Sequence, residues 1–304
     1  MPFRLGRALR AQGVRCDAVM LDPRSFPPEH PEERVNPPWG ETRRLIGEAD
    51  VIHVHGLTTF ALFEAELAGR PVLLHIHGDP DRRLALRLEV PQVVSTPDLL
   101  APFPQAVYCP NLILPDELPL SAPLGGGPLR IFKSPSLHDK HQELFAQLLD
   151  PILRQLPGRV VYVAPNSLMR AKALAQVRAS CHVSLDHLHG YYGLESLEAL
   201  AQGLVAVNGL SAQGRLRFTE AVGAPPPFAV ARSVTEAGTL LVTLVEEALT
   251  RPERFAARRA AGVNFIQRYY RPERLVGRWL AMYAAVAERR WQEPAAAQAQ
   301  EVAR

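Results

Sequence analysis

The sequence predicts an α/β protein built from two doubly wound domains, each a parallel sheet covered by helices. Three observations carry this expectation. The chain has 304 residues, and a domain of this class takes roughly 100–200. Short apolar runs alternate with amphipathic helical stretches through short connections, as parallel sheets with helices on both faces require. The alternation stops once, at residues 119–128, PLSAPLGGGP, where consecutive glycines and scattered prolines offer no apolar face. It then restarts.

Taken in order, Leu5, Ala8 and Leu9 recur at helical spacing ahead of Gly13, a glycine placed to end a helix. Residues 14–21 read as a strand and the Pro-rich stretch 27–38 as loop. A short helix is expected at 42–47, strands at 50–56 and 71–78, and a helix at 58–68 closed by Gly69. Two short strands, 93–96 and 106–109, complete the first half. In the second half strands are expected at 129–132, 159–164, 182–185 and 204–207. Helices are expected at 140–155, 168–179 and 194–202, then at 235–250, 252–269 and 274–288. The predicted organisation is a first domain at 1–118, a linker at 119–128, a second domain at 129–270, a C-terminal helix at 271–290 and a frayed tail at 291–304. Both halves are Rossmann-like and are expected to face each other across a cleft. A doubly wound domain opens on a strand that feeds its first helix. Here the chain opens on the helix, so that strand and its turn are missing from the pattern. The expected consequence is a start site placed too late or a weakened first domain.

Apolar residues make up 47% of the chain, enough for two cores, and the net charge is +3. Charges of both signs are interspersed, which argues against a nucleic-acid surface. The N-terminus carries Arg4, Arg7 and Arg10 without an apolar stretch behind them, so no secretory leader is predicted. No apolar run reaches the ~20 residues of a membrane span. Cys16, Cys109 and Cys181 are too scattered for a zinc knuckle or a disulfide framework. The expected location is the cytoplasm or the inner membrane face.

In parallel α/β sheets ligands bind beyond the carboxyl ends of the strands. His53, His55, His75 and His77 stand at two such ends, each HxH pair on one face of its strand. They read as packed imidazoles, as a metal site, or, at His77, as a neutral partner for a hydroxyl or phosphate. Gly78 permits a sharp turn toward Arg82, whose forked donors suit an anion. Ser134–Lys140 follows a strand and precedes a helix, the place where amides attract a phosphate. Lys140 opposes the helix dipole there, and the chain has few lysines, only Lys133, Lys140 and Lys172. In His189-Gly-Tyr-Tyr-Gly-Leu-Glu-Ser-Leu-Glu198, Gly190 and Gly193 allow close backbone approach before a helix that starts at Leu194. Glu195 and Glu198 lie on one side of it. By composition alone this is also an ordinary amphipathic helix.

The run GYYGLESLEALAQGLVAV, residues 190–207, resembles the signature of the family-4, retaining glycosyltransferases of the GT-B fold. In that family two glutamates span a glycine–aromatic–glycine turn with seven residues between them. Residues 49–56, 77–82, 94–98, 109–112 and 132–140 are similar to other family segments in the same order. The resemblance implies transfer of a sugar from a nucleoside-diphosphate sugar, without a metal or cofactor, to an acceptor that the sequence does not identify, with a glycan or a lipid-linked molecule as candidates. It implies that Lys140 binds the diphosphate, with Lys133 or His138 in place of the arginine usual nearby. Glu198 would hold the ribose, while Gly190, Gly193 and Leu194 form the donor turn. His77 would stand near the reacting sugar, and Arg82 and His55 on the acceptor side. Gly190 occupies the place of the first glutamate, and Asp186 and His189 flank the loop as candidate replacements. The rival readings are a non-catalytic homologue that binds nucleotide or glycan or scaffolds a partner, a nucleotide-sugar epimerase, and a metal hydrolase built on the HxH pairs.

Overall fold

The computed structural model describes residues 2–21, 33–78, 87–134, 142–165, 169–188 and 190–289. It divides into two compact units. One comprises Met1–Leu112, Glu220–Gly223 and Pro272–Arg304; the other Ile113–Thr219 and Ala224–Arg271.

The first unit opens on helix α1 (Pro2–Ala11), which buries Leu5 and Leu9. Gly13 ends it in the left-handed conformation, φ 79°, and donates its amide to the Arg10 carbonyl. Strand β1 (Ala18–Met20) pairs in parallel with β2 (Glu33–Val35). The second strand corrects the sequence reading, which made 27–38 all loop. Its first residue, Glu33, is buried and bound to Arg7 at 2.6 Å, so the strand carries no apolar alternation to announce it. Helix α2 (Trp39–Glu48) leads to β3 (Ile52–His55). The helix expected at 58–68 is two, α3 (Leu57–Leu62) and α4 (Glu64–Leu67). Phe63 leaves helical geometry between them, φ −121° and ψ 19°, and buries its ring. Strands β4 (Val72–Ile76), β5 (Gln92–Val94) and β6 (Val107–Tyr108) complete a four-stranded parallel sheet in the order β3-β4-β5-β6.

The second unit contains β7 (Leu129–Lys133), α5 (Gln142–Gln155), β8 (Val160–Val163), α6 (Ala171–Ala179), β9 (Val183–Leu185), α7 (Leu194–Ala201) and β10 (Val205–Asn208). Two elements that the sequence did not announce follow: α8 (Ala212–Val222), which has no sustained apolar stripe and belongs to this unit as far as Thr219, and the two-residue β11 (Ala229–Val230). Helices α9 (Val234–Thr250) and α10 (Pro252–Tyr269) follow as expected. The five strands are all parallel, in the order β11-β10-β9-β7-β8. Leu129, Ile131, Val183, Leu185, Val205 and Val207 form their apolar face, against which Leu241, Leu244 and Val245 of α9 pack. Residues 119–128 lie within this unit. The Ser121 amide donates to the Gln202 carbonyl at 2.7 Å, and Arg259 donates to the carbonyls of Ser121 and Ala122. The last helix, α11 (Pro272–Ala287), belongs to the first unit, where it buries Trp279. Among the described residues no helix is long and apolar enough to cross a membrane.

Candidate functional site

The strand order of the second sheet marks a place for chemistry. β7 lies between β8 and β9, so the crossover to β8 runs one way and the next strand is added on the other side. Ligands of doubly wound sheets bind at such a switch point, beyond the carboxyl edge. Lys133 ends β7 there, buried at 2% exposure and in register with Leu185 of β9. Asp186 comes next along β9, and the loop it starts runs into α7.

That loop is organised by Asp186. Its carboxylate is buried, and one oxygen accepts from the Gly193 amide at 2.6 Å, the Ser196 amide at 3.2 Å and the Ser196 hydroxyl at 2.7 Å. It thereby satisfies orphan donors at the start of α7 and complements the helix dipole. Asn208 of β10 donates to the same Ser196 hydroxyl. Asp186 is thus turned inward, which corrects its reading as a substitute sugar ligand. At Gly193 a Cβ would lie 3.0 and 3.1 Å from the two Asp186 oxygens, so the carboxylate would have to give by a few tenths of an ångström. The space around Gly190 is open, but its φ is +85°, a region where a Cβ is strained. Leu194 is the first residue of α7.

Glu195 shares this buried polar region. It accepts from the Ser184 hydroxyl at 3.0 Å. Burial first, and then the Asp186 charge, push its carboxyl up to about 7, against the opposing pull of Arg178 and Lys133. A carboxyl raised in the folded state binds its proton more tightly there than in the unfolded chain. Its contribution to stability is therefore full below the unfolded value of 4.5 and is lost as pH rises through about 7. Chemical denaturation across pH 4.5–8 is expected to show this decline, and Glu195→Gln to flatten it. An equal decline in the variant would reject the assignment.

Glu198 stands one turn further along α7. Its carboxylate accepts from the Arg178 guanidinium of α6 at 2.6 Å, and the guanidinium also donates to the Gln202 side chain. Arg178 is 1% exposed and Gln202 wholly buried, with the Gln202 amide donating to the carbonyls of Pro119 and Ala175. Sequence reasoning singled out neither Arg178 nor Gln202. A lone arginine in an Ala-rich helix carries no local signal of burial.

In the first unit the four histidines gather on one face of the sheet. His55 of β3 is in register with His75 of β4. His55 Nδ1 lies 2.7 Å from Nε2 of the exposed His77, and His53 Nε2 lies 3.2 Å from His75 Nδ1. Trp279 and Tyr283 of α11 cover His53, with the Tyr283 hydroxyl 2.8 Å from His53 Nδ1. Burial keeps these rings neutral: His53 is pushed down to about 3, and His55 and His75 well below the ordinary imidazole range. Arg82, His138, Lys140 and His189 lie outside the described residues.

Solved structures share this architecture. Sucrose-phosphate synthase from Thermosynechococcus elongatus superposes with a TM-score of 0.61 over 94% of this chain and 92% of its own, at 12% identity. HepE from Anabaena, in complex with UDP and glucose, gives 0.59 over 83% and 85%, also at 12% identity. The fold is that of the GT-B glycosyltransferases. AviGT4, a glycosyltransferase involved in avilamycin A biosynthesis, gives 0.56 over 93% and 88%, at 17% identity. No protein-family model and no curated protein sequence matches the chain.

Proposed function

We propose that this GT-B chain transfers a sugar from a nucleoside-diphosphate sugar to an acceptor, with retention at the anomeric carbon. The observation that carries the reading is the switch point of the second sheet, where Lys133, the loop 186–193 and α7 converge at the carboxyl edge. HepE, which shares the fold, holds UDP and glucose. Retention rests on the likeness of residues 190–207 to the family-4 signature. Within this reading Lys140 binds the diphosphate, Glu198 the ribose, and His77 stands near the reacting sugar, with Arg82 on the acceptor side. Asp186 already takes the Gly193 and Ser196 amides. Charge on the leaving diphosphate therefore falls mainly to Lys140 and the loop after β7, as fixed electrostatic stabilisation. The test is calorimetry with UDP and uridine. Lys140→Ala is expected to weaken UDP by about 10–100-fold, the equivalent of ~1.5–3 kcal/mol for a charge-assisted contact, and to leave uridine nearly unchanged. Equal losses for both ligands would remove Lys140 from the diphosphate site. Failure of the wild type to bind any nucleoside diphosphate would sink the reading. In a transferred product, the anomeric proton coupling reports retention.

A second reading, binding without transfer, is favoured by Gly190. The family's first glutamate is missing there, and the Asp186 carboxylate that could replace it faces inward. Equal affinity for UDP and its sugar conjugates, with no transfer, would select this reading over the first.

A further inference from the structure

We propose that His53, His55 and His75 form a binding site for a divalent transition metal of the zinc class. One ring nitrogen of each lies within 4.8 Å of the others. The 3.2 Å between His53 Nε2 and His75 Nδ1 is close to the ~3.3 Å that separates two imidazole nitrogens on one tetrahedral zinc with Zn–N of about 2.0–2.1 Å. Sheet geometry builds the set. A strand period of two puts His53 and His55 on one face, and the parallel register brings His75 beside His55 on that face.

The surroundings favour a metal over a merely packed cluster. His53 Nδ1 faces the Tyr283 hydroxyl at 2.8 Å. With the proton on Nδ1 donated to that oxygen, the Nε2 lone pair points toward His75. Ligating histidines are oriented in this way by a partner on their second nitrogen. His75 is 1% exposed. Trp279 packs against His53 and His75, with ring centroids 4.9 and 5.2 Å away, and closes one side with apolar surface. An all-imidazole donor set suits zinc, copper, nickel or cobalt and not magnesium or calcium. Three protein ligands leave a fourth position open. Bound here, the metal would fix His55 and, through the 2.7 Å contact, the ring of His77.

The full chain, freed of metal by a chelator, is titrated with Co²⁺. The expected result is one tight equivalent with the visible spectrum of tetrahedral cobalt, no thiolate charge-transfer band, and displacement by Zn²⁺. Tyr283→Phe lowers affinity by about 10–100-fold. His53→Gln and His75→Gln lower it further, and His187→Gln, in the second unit, leaves it unchanged. The wild-type cobalt spectrum requires no variant to fold, and circular dichroism establishes which variants do. An octahedral spectrum in the wild type, or a stoichiometry unchanged when all three ligands are replaced by Gln, would overturn the proposal. UDP binding measured on the same samples belongs to the second unit, so failure of the metal site and failure of the donor site are read separately.

Discussion

Gly209→Ala is expected to destabilise the chain by about 3–5 kcal/mol, above the ~1–3 kcal/mol of ordinary overpacking. Gly209 follows β10 and donates its amide to the His187 carbonyl at 2.7 Å. An alanine Cβ would lie 2.6 Å from the Leu188 Cα, and closer still to its carbonyl group. These are backbone atoms held in place on both sides. Asp186 anchors the chain before them, and after them Gly190 bridges to Leu210 while the Ser211 amide donates to the Gly190 carbonyl. Nothing there can swing aside as a flexible side chain would. Relief requires prying Asp186–Leu188 and Gly190 away from 208–211, which loosens Asp186 at the start of α7. Gly190→Ala, by contrast, meets open space and is strained only by its positive φ, at about 1–2 kcal/mol. Urea denaturation of the two variants gives the comparison. A Gly209→Ala loss under ~1 kcal/mol would show that the loop is not zipped to the β10 exit as described.

What could be read ahead of the structure was local. The alternation of apolar runs and amphipathic helices placed most strands and long helices, because burial in a parallel sheet writes itself into consecutive residues. Leu194 as a helix start and the shared faces of the HxH pairs follow from spacing alone. The unread features depend on distant partners. β2 is hidden because Glu33 is buried by an ion pair with Arg7. Asp186 reaches the α7 amides across a loop, and no cap residue directly before the helix advertises it. The strand order that puts Lys133 beside Asp186 is a property of the folded sheet, as is the membership of α11 in the first unit. Arg178 looks like any helical surface arginine until Glu198 and Gln202 are found around it.

That last cluster supports the most discriminating experiment on the candidate site. Arg178→Met is expected to cost about 3–5 kcal/mol, the range for breaking one partner out of a buried ion pair. The Arg178 side chain is 2% exposed and that of Glu198 13%, so the carboxylate left behind would find little water. The buried Gln202 would also lose the donor to its side-chain oxygen. Replacing both charges, as Arg178→Met with Glu198→Leu, should recover a substantial part of the loss, because well-packed apolar pairs often match buried ion pairs in stability. The double-mutant cycle isolates the coupling between the two residues. Nucleotide affinity then separates two roles for Glu198. If it holds the ribose, Arg178 positions it from behind. The double variant would then fold, yet bind both UDP and uridine at least ~10-fold more weakly, in line with a lost hydrogen bond to a charged group at ~1.5–3 kcal/mol. If Glu198 serves only to neutralise Arg178, the double variant would regain stability and bind UDP as the wild type does. That second outcome would strike Glu198 from the donor site and leave the ribose to other residues of the switch point.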